Sequence, residues 1–290
     1  MAKITPLSQI LERQFRNLSD IKSYLGGACL GCGGGTLTQA LARAIDRIGL
    51  QRKDVVFIKG IGCSGSQVHS LKYSILRGLH GRAPAYALGL KLARPELTVI
   101  TMQGDGDSLA IGGSHFIHAA RRNIDITIIV NNNFIYGRTG GQFGPTTPVG
   151  SYATSAPYGV IDPPFDVCKL AEAAGATFVA RGTTYHVIEL TDIMEKGILH
   201  HGCSVIEVIS QCPTSYGRYN RDRMGGTAGE MLRWMRDNAV RINKAKNMTK
   251  EELEGKLVIG IFVDRQAPEF NDECEAIIEA AQTGRSKRHR

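Results

Sequence analysis

Short β-branched runs alternate with longer amphipathic runs along this chain, and no other feature constrains its fold as strongly. The strand candidates are apolar nearly throughout, as strands buried on both faces of a sheet are. They cover residues 55–59, 97–102, 126–130, 177–180 and 205–209. Helix candidates cover residues 37–48, 85–93, 109–122, 167–174 and 186–199. This alternation predicts an α/β fold, with a mostly parallel sheet and helices on both faces.

Two stretches rich in Gly, Pro and Thr interrupt the alternation, at residues 137–164 and 213–229. Loops of that length inside an α/β domain usually carry function or lie against a partner. The pattern then predicts one helix over residues 231–246 and a strand over LVIGIFV at residues 257–263. We therefore expect a main domain over residues 1–230, followed by a C-terminal extension with a basic tail over residues 231–290.

The net charge of the chain is +8, from 35 Lys and Arg against 27 Asp and Glu. A basic balance is typical of nucleic-acid binding. Four of these charges, however, lie in the last six residues, at Arg285, Lys287, Arg288 and Arg290. This placement favours a frayed basic tail over a nucleic-acid surface.

The sequence shows no pattern for export or membrane insertion. Its longest apolar runs fall well short of the roughly 18 residues that cross a bilayer. The first residues, MAKITPLSQILERQF, lack the apolar core of a signal peptide. We therefore expect a cytoplasmic protein without membrane contact, in which the seven cysteines are reduced and serve as metal ligands or buried thiols.

The motif GDGD at residues 104–107 follows a strand candidate and opens a helix candidate. Open α/β sheets bind ligands at such places. Two glycines let the backbone approach a diphosphate, whose charge the first N–H groups of a helix favour. A carboxylate between those glycines would repel the diphosphate unless a cation lay between them. Asp105 therefore implies Mg²⁺ or a similar hard ion.

Three asparagines, Asn131, Asn132 and Asn133, follow the next strand candidate. Neighbouring parallel strands would bring them to the same edge of the sheet as Asp105, where carboxylate and amide oxygens form a hard-cation site. Each motif alone is more often an ordinary turn, but the pair at this spacing favours the cation site. A dinucleotide site is the weaker alternative, because Leu109 stands where GxGxxG needs its third glycine.

The cysteine spacing is the second feature with chemical meaning. Cys29 and Cys32 form a CxxC pair, and Cys63 and Cys212 are distant thiols that would complete a tetrahedral sulfur site. Ligand type alone does not separate zinc from an iron–sulfur cluster. The simpler alternative is a lone CxxC beside two unrelated thiols. The remaining cysteines, Cys168, Cys203 and Cys274, are predicted to be ordinary core thiols.

Taken together, these features resemble the β subunit of 2-oxoacid:ferredoxin oxidoreductases over roughly residues 20 to 220. GDG followed at this interval by NN is similar to the thiamine diphosphate signature. The other segments that carry the resemblance are ACLGCGGGT, GIGCS, HGRA, NNNFIYGRTGGQFGPTTP and QCPTSYGR. The resemblance implies that the α/β domain is a thiamine diphosphate-binding domain of the diphosphate-binding type.

The resemblance also implies a set of site residues. Cys29, Cys32, Cys63 and Cys212 would hold a [4Fe–4S] cluster close to the thiamine. Asp105, the side chain of Asn133 and the carbonyl of Ile135 would bind Mg²⁺. The residues that would contact thiamine diphosphate are Ile61, Gly62, Cys63, Ser64, His80, Gly106, Asp107, Gly137 and Arg138. No protein nucleophile is expected, because the cofactor carries the reacting carbon.

The activity implied by the resemblance is oxidative decarboxylation of a 2-oxoacid, or the reverse carboxylation. Coenzyme A would capture the acyl group, and the cluster would pass electrons to ferredoxin. An α subunit would supply the pyrimidine-binding domain and its activating Glu. We therefore expect an (αβ)2 or larger hetero-oligomer, without nucleic acid.

Substrate choice rests on Arg138 and on its surroundings, YGRTGGQ, which look more like 2-oxoglutarate than pyruvate enzymes of the family. A guanidinium at this position would bind the distal carboxylate of 2-oxoglutarate bidentately. The alternative is an ion pair between Arg138 and a loop or the α subunit. Two other functions stay open: a pyruvate or broad-specificity enzyme, and a basic zinc module for nucleic acid.

Overall fold

The computed structural model describes residue 9 and residues 29–283. Its described part contains an eight-stranded sheet in the order β2-β1-β3-β4-β6-β5-β8-β7. The strands are β1 (Val55–Lys59), β2 (Ser74–Arg77), β3 (Thr98–Gly104), β4 (Thr127–Asn132), β5 (Phe178–Thr183), β6 (Ser204–Ile209), β7 (Ala239–Arg241) and β8 (Leu257–Asp264). All neighbouring pairs are parallel except β5 and β8. The predicted mostly parallel sheet is therefore confirmed.

Helices cover both faces of the sheet. The longer ones are α1 (Gly34–Ile48), α3 (Ala83–Ala93), α4 (Gly113–Arg122), α5 (Val167–Ala174), α6 (Val187–Leu199), α8 (Ala228–Asn238) and α11 (Phe270–Gln282). The shorter ones are α2 (Cys63–Gln67), α7 (Arg221–Met224), α9 (Ile242–Ala245) and α10 (Lys250–Leu253). None of the helices in the described ranges is long and apolar enough to cross a membrane.

Each face of the sheet has its own hydrophobic core. On one face, α1 and α6 pack against side chains such as Phe57 and Ile206. On the other face, α3, α4 and α5 cover side chains such as Ile58 and Val205. Consecutive residues of β1 and of β6 thus enter opposite cores, which explains why these strands are apolar on both sides. β3 and β4 lie in the interior of the sheet, between β1 and β6.

The strand predictions agree with the structure within a few residues, and β1 has the predicted bounds. Two helix predictions were wrong. The stretch 231–246 is not one helix, because α8 ends at Asn238 and residues 239–241 form β7, which pairs with β8. The stretch 109–122 is also divided, because residues 106–110 form a wide turn with i→i+5 bonding and α4 begins only at Gly113.

The loop predicted at 137–164 is irregular throughout, whereas the one at 213–229 contains a wide turn and α7. The predicted strand at 257–263 is confirmed as β8, which joins the main sheet beside β5. The sequence missed β2 and α11. The boundary near residue 230 stays a prediction. The first residues and the basic tail from Arg285 onward lie outside the described residues.

Candidate functional site

The carboxyl ends of β1, β3 and β4 lie side by side in the sheet and open onto a cavity of about 130 Å³. Parallel sheets offer their ligand sites at this edge. The cavity is lined by all the residues that the sequence assigned to the diphosphate and its cation. These are Ile61, Gly62, Cys63, Ser64, His80, Asp105, Gly106, Asp107, Asn133, Ile135, Gly137 and Arg138. We call this cavity the cofactor pocket.

Asp105 is the buried acid of the cofactor pocket, with 4% of its surface exposed. Burial raises the pKa of this carboxyl group to about 6, against a lowering effect of the Thr146 hydroxyl, which donates to it at 2.7 Å. A carboxylate in such a place is costly to ionise unless a cation lies beside it. This environment fits a ligand of a hard metal ion.

The turn after β4 presents the other oxygen atoms. The side chain of Asn133 is buried and accepts the Ile135 N–H at 3.3 Å. Phe134 adopts a left-handed backbone with a φ of 63°, which is rare for a residue other than glycine. Its N–H donates to Asn132 at 3.1 Å, and its carbonyl accepts the Thr147 hydroxyl at 2.6 Å. The turn is therefore held in one shape, a common property of ligand-binding segments.

Asp107 fastens the loops around the cofactor pocket. Its carboxylate accepts the backbone N–H of Gly81 at 2.7 Å and of Ile61 at 3.2 Å, and it also contacts the His80 ring. A Cβ atom at Gly60 would lie 1.6 Å from the same carboxylate, so only glycine allows this close approach. Asp107 thus ties the loops after β1 and β2 to the end of β3.

Gly62 leaves space in the wall of the cofactor pocket. Its φ of 106° and ψ of −162° belong to a region that glycine adopts almost exclusively. A Cβ atom built there would meet nothing within 4 Å, so it would project into the open cavity. Such an open cradle fits the close approach of backbone to a bound diphosphate.

A second cavity, of about 170 Å³, lies beside the first and is lined by Cys29, Cys32, Cys63 and Cys212. We call it the cysteine pocket. The first two thiols precede α1, the third begins α2, and the fourth follows β6. Three segments that are far apart in the chain thus bring the four predicted ligands together.

The thiols of the cysteine pocket are near enough to affect one another. Burial, and then the other three thiols, raise the pKa of Cys32 to about 11, although the Gly34 N–H donates to its sulfur at 3.5 Å. Burial also raises the pKa of Cys63. Without a metal, these raised pKa values favour the protonated thiols of Cys32 and Cys63 at neutral pH. A soft metal centre replaces those protons and is the guest that four thiolates favour.

Gln67, the last residue of α2, also lines the cysteine pocket. It is 2% exposed, and its Oε1 has no hydrogen-bond partner within the described ranges. A buried amide that lacks a partner is rare in a complete site. This oxygen without a partner indicates that the cysteine pocket is incomplete without a further group.

The two pockets share a wall, formed by Cys63, Asn133, Gly137 and Arg138. Gly137 lies close to the cysteine sulfurs, because a Cβ atom there would lie 3.5 Å from the sulfur of Cys212 and 3.9 Å from that of Cys63. A group in one pocket would therefore lie next to a group in the other. This proximity suits electron transfer between them.

Comparison with known proteins agrees with this geometry. The family model described as the thiamine pyrophosphate enzyme C-terminal TPP binding domain matches residues 60–208. The chain is 49% identical to the 2-oxoglutarate synthase subunit KorB of Methanocaldococcus jannaschii, over 87% of this chain and 92% of that protein. It is 46% identical to the 2-oxoacid:ferredoxin oxidoreductase subunit beta of Saccharolobus solfataricus, over 64% of this chain and 62% of that protein.

This chain belongs to the 2-oxoacid:ferredoxin oxidoreductase β subunits. The resemblance stated from its motifs is therefore confirmed, and so is its class as an oxidoreductase subunit. A solved 2-oxoglutarate:ferredoxin oxidoreductase from Magnetococcus marinus, with 2-oxoglutarate, coenzyme A and succinyl-CoA bound, is 28% identical to it. That structure matches with a TM-score of 0.78, over 90% of this chain and 88% of the other.

For this β subunit, sequence reasoning missed some residues that shape the site. Thr146 binds Asp105, and Gln67 lines the cysteine pocket. The signal for Thr146 was present in the segment GPTTP, which the resemblance includes. Gln67 carried no signal, because a single amide after GCSGS is not distinctive. The cysteines assigned to the core, Cys168 and Cys203, are buried, whereas Cys274 is partly exposed.

Proposed function

We propose that the chain is the β subunit of a 2-oxoglutarate:ferredoxin oxidoreductase. Such an enzyme converts 2-oxoglutarate and coenzyme A to succinyl-CoA and CO₂, or runs in the reverse direction. The observation that carries this proposal is the shared wall between the cofactor pocket and the four-cysteine pocket. The names of the relatives and the ligands of the Magnetococcus structure support the choice of substrate.

Asp105, Asn133 and the Ile135 carbonyl are the proposed ligands of Mg²⁺, which would bridge the protein to the diphosphate. Bound thiamine diphosphate supplies a nucleophilic carbon and an electron sink for decarboxylation. The residues of this chain then have distinct roles. Gly62 leaves room for the cofactor, Asp107 holds the loops around it, and the rigid turn at Phe134 orients the metal ligands.

The four cysteines of the cysteine pocket are proposed to hold a [4Fe–4S] cluster, which accepts electrons one at a time. A cluster at this site would lie next to the cofactor pocket, where it would take up electrons from the bound cofactor and pass them to ferredoxin. Arg138 lines both pockets and adds positive charge where anionic groups meet.

Arg138 is also the proposed ligand of the distal carboxylate of 2-oxoglutarate. Loss of a charge-assisted hydrogen bond costs about 1.5–3 kcal/mol, so Arg138→Leu should raise the KM for 2-oxoglutarate roughly tenfold or more. The KM for 2-oxobutyrate, which lacks that carboxylate, should change little. Arg121→Leu, at an exposed site on α4, is the matched control. Equal effects on both substrates would remove this assignment.

An α subunit is the proposed partner, and the loop after Gly137 is the proposed contact surface. This loop exposes large apolar side chains that a free surface does not need, among them Tyr158 at 97%, Ile161 at 86% and Phe165 at 54%. The α subunit would supply the pyrimidine-binding domain and the activating Glu. Full activity of the isolated chain would contradict this partnership.

The proposed function is tested on the αβ complex, co-expressed and purified without oxygen. We expect a brown protein with about four irons per β chain, as a [4Fe–4S] centre requires. It should reduce ferredoxin only when 2-oxoglutarate and coenzyme A are both present, with pyruvate a poor substrate. A colourless complex with one zinc per chain would contradict the cluster assignment. Equal turnover of pyruvate and 2-oxoglutarate would favour a broad-specificity enzyme.

A further inference from the structure

Lys59, the last residue of β1, is a buried cation without an acidic partner. Only 6% of its surface is exposed. Within residues 29–283, its ammonium group forms no ion pair or hydrogen bond with a carboxylate. Lysine is almost never buried to this extent unless it is paired. The side chain therefore needs an anion that the described part of the chain does not supply.

The neighbours of Lys59 are themselves positive. Arg77 of β2 is its register partner in the parallel pair, so the two side chains leave the same face of the sheet. Arg138, in the wall that the two pockets share, repels the ammonium group of Lys59 electrostatically. Burial, Arg77 and Arg138 all lower the pKa of Lys59, because each disfavours the charged ammonium. Among the described residues, Arg77 has no acidic partner either.

This group of cations lies next to the cofactor pocket, which Arg138 lines. Lys59 directly precedes Gly60, Ile61 and Gly62, and the latter two line the cofactor pocket. It lies at the carboxyl edge of the sheet, where α/β proteins bind ligands. Lysine and arginine together at such an edge recognise carboxylates and phosphates.

We propose that Lys59 and Arg77, together with Arg138, form an anion subsite at the rim of the cofactor pocket that binds the carboxylate or phosphate end of a substrate. Two anionic groups of the proposed reaction have this chemistry: the distal carboxylate of 2-oxoglutarate and the phosphates of coenzyme A. The identity of these substrates rests on the proposed function, whereas the subsite itself rests on Lys59 and Arg77, which have no acidic partner among residues 29–283.

The test uses the αβ holoenzyme with variants of Lys59. Lys59→Met keeps the length and apolar stem but removes the charge, and Lys59→Arg keeps the charge. Lys53→Met is the matched control, because Lys53 is exposed and precedes the opposite end of the same strand. Arg77→Gln removes the second cation from an exposed position, where folding is not at risk.

KM values for 2-oxoglutarate, 2-oxobutyrate, coenzyme A and dephospho-coenzyme A show which substrate provides the anion that the subsite binds. Lys59→Met should raise at least one KM roughly tenfold or more, with a smaller effect from Lys59→Arg. A rise for 2-oxoglutarate but not 2-oxobutyrate identifies the distal carboxylate. A rise for coenzyme A that is smaller for dephospho-coenzyme A identifies the 3′-phosphate, and an equal rise for both identifies the diphosphate.

Binding of glutarate and of coenzyme A, measured by calorimetry without turnover, provides a second readout. A wild-type complex that does not oxidise 2-oxoglutarate would contradict the proposed function, but weaker anion binding by Lys59→Met would still support the subsite. Unchanged KM values and unchanged binding in both Lys59→Met and Arg77→Gln would overturn it. Loss of the α subunit from Lys59→Met but not from Lys53→Met would also overturn it, because the ammonium would then pair with the other subunit.

Discussion

The cofactor pocket and the cysteine pocket share a wall but are held together in different ways. The cofactor pocket is shaped by hydrogen bonds within the protein: Asp107 binds the loops around it, and Thr146 binds Asp105. The cysteine pocket brings together four thiols, of which Cys32 and Cys63 have raised pKa values, and the amide oxygen of Gln67, which lacks a partner in the described part of the chain. The proposed cofactor would therefore enter a pocket that is already formed, whereas the proposed cluster would complete its own.

This contrast predicts that a mutation in one pocket can abolish binding there and leave binding in the other pocket intact. The largest effect is expected from Cys212→Ser in the αβ complex, which removes one of the four proposed cluster ligands. Iron content and 2-oxoglutarate-dependent reduction of ferredoxin should fall to background, while thiamine diphosphate stays bound, because the bonds that shape its pocket are intact. Iron analysis and cofactor content measure the two sites independently.

The control for this experiment is Cys274→Ser, because that thiol lies on α11 away from both pockets. It should keep both iron and cofactor. Simultaneous loss of iron and thiamine diphosphate from Cys212→Ser would contradict this prediction, because it would show that the two pockets form only as one unit.

A second prediction concerns the stability that the metal-free protein loses because Asp105 is buried and ionised. Asp105→Asn should abolish Mg²⁺-dependent binding of thiamine diphosphate, yet stabilise the apoenzyme at neutral pH. The pKa of about 6, against 3.8 for a free carboxyl, corresponds to about 3 kcal/mol of stability lost on ionisation. Thermal denaturation of the metal-free complex should show a higher Tm for the variant.

The pH dependence gives the sign of this effect. Because the folded state binds the Asp105 proton more tightly than the unfolded state, wild-type stability falls as pH rises from about 4 through about 6. The stability of Asp105→Asn should lack this component, so the two proteins converge near pH 4. A variant that is less stable at every pH would contradict a pre-formed but costly site.

The smallest effect is expected from Thr146→Val, which removes a hydroxyl but keeps the shape of the side chain. Loss of a hydrogen bond to a metal ligand weakens metal binding by about 10-fold or more. The pKa of Asp105 should also rise, since the hydroxyl lowers it, so Mg²⁺ binding should weaken at a higher pH than in the wild type. Titration of the apoenzyme with Mg²⁺ and thiamine diphosphate measures both changes.

Thr191→Val is the matched control for Thr146→Val. Thr191 is equally buried, and its hydroxyl donates to the Val187 carbonyl at 2.8 Å in α6, away from the site. This control should leave Mg²⁺ binding unchanged. Unchanged affinity in Thr146→Val itself would show that Asp105 is positioned by its backbone alone.

Much of the fold followed from local patterns. The buried central strands were predictable because both faces are apolar, and β1 has the predicted bounds. The helix over 231–246 was wrong because helical periodicity takes no account of the pairing of residues 239–241 with β8. Strand β2 was missed because it is short and largely exposed, so it carries no continuous apolar run.

The sequence by itself determined which residues are candidates for the site, because GDGD, the asparagine cluster and the four cysteines occur together at spacings that each motif alone does not make distinctive. Only the tertiary structure decided how these residues meet. The shared wall at Gly137 and the position of Lys59 beside Arg77 on neighbouring strands depend on strand order and register. Both bring together segments that are far apart in the chain. Local patterns record what a segment prefers, whereas contacts between distant segments are decided by the packing of the whole sheet.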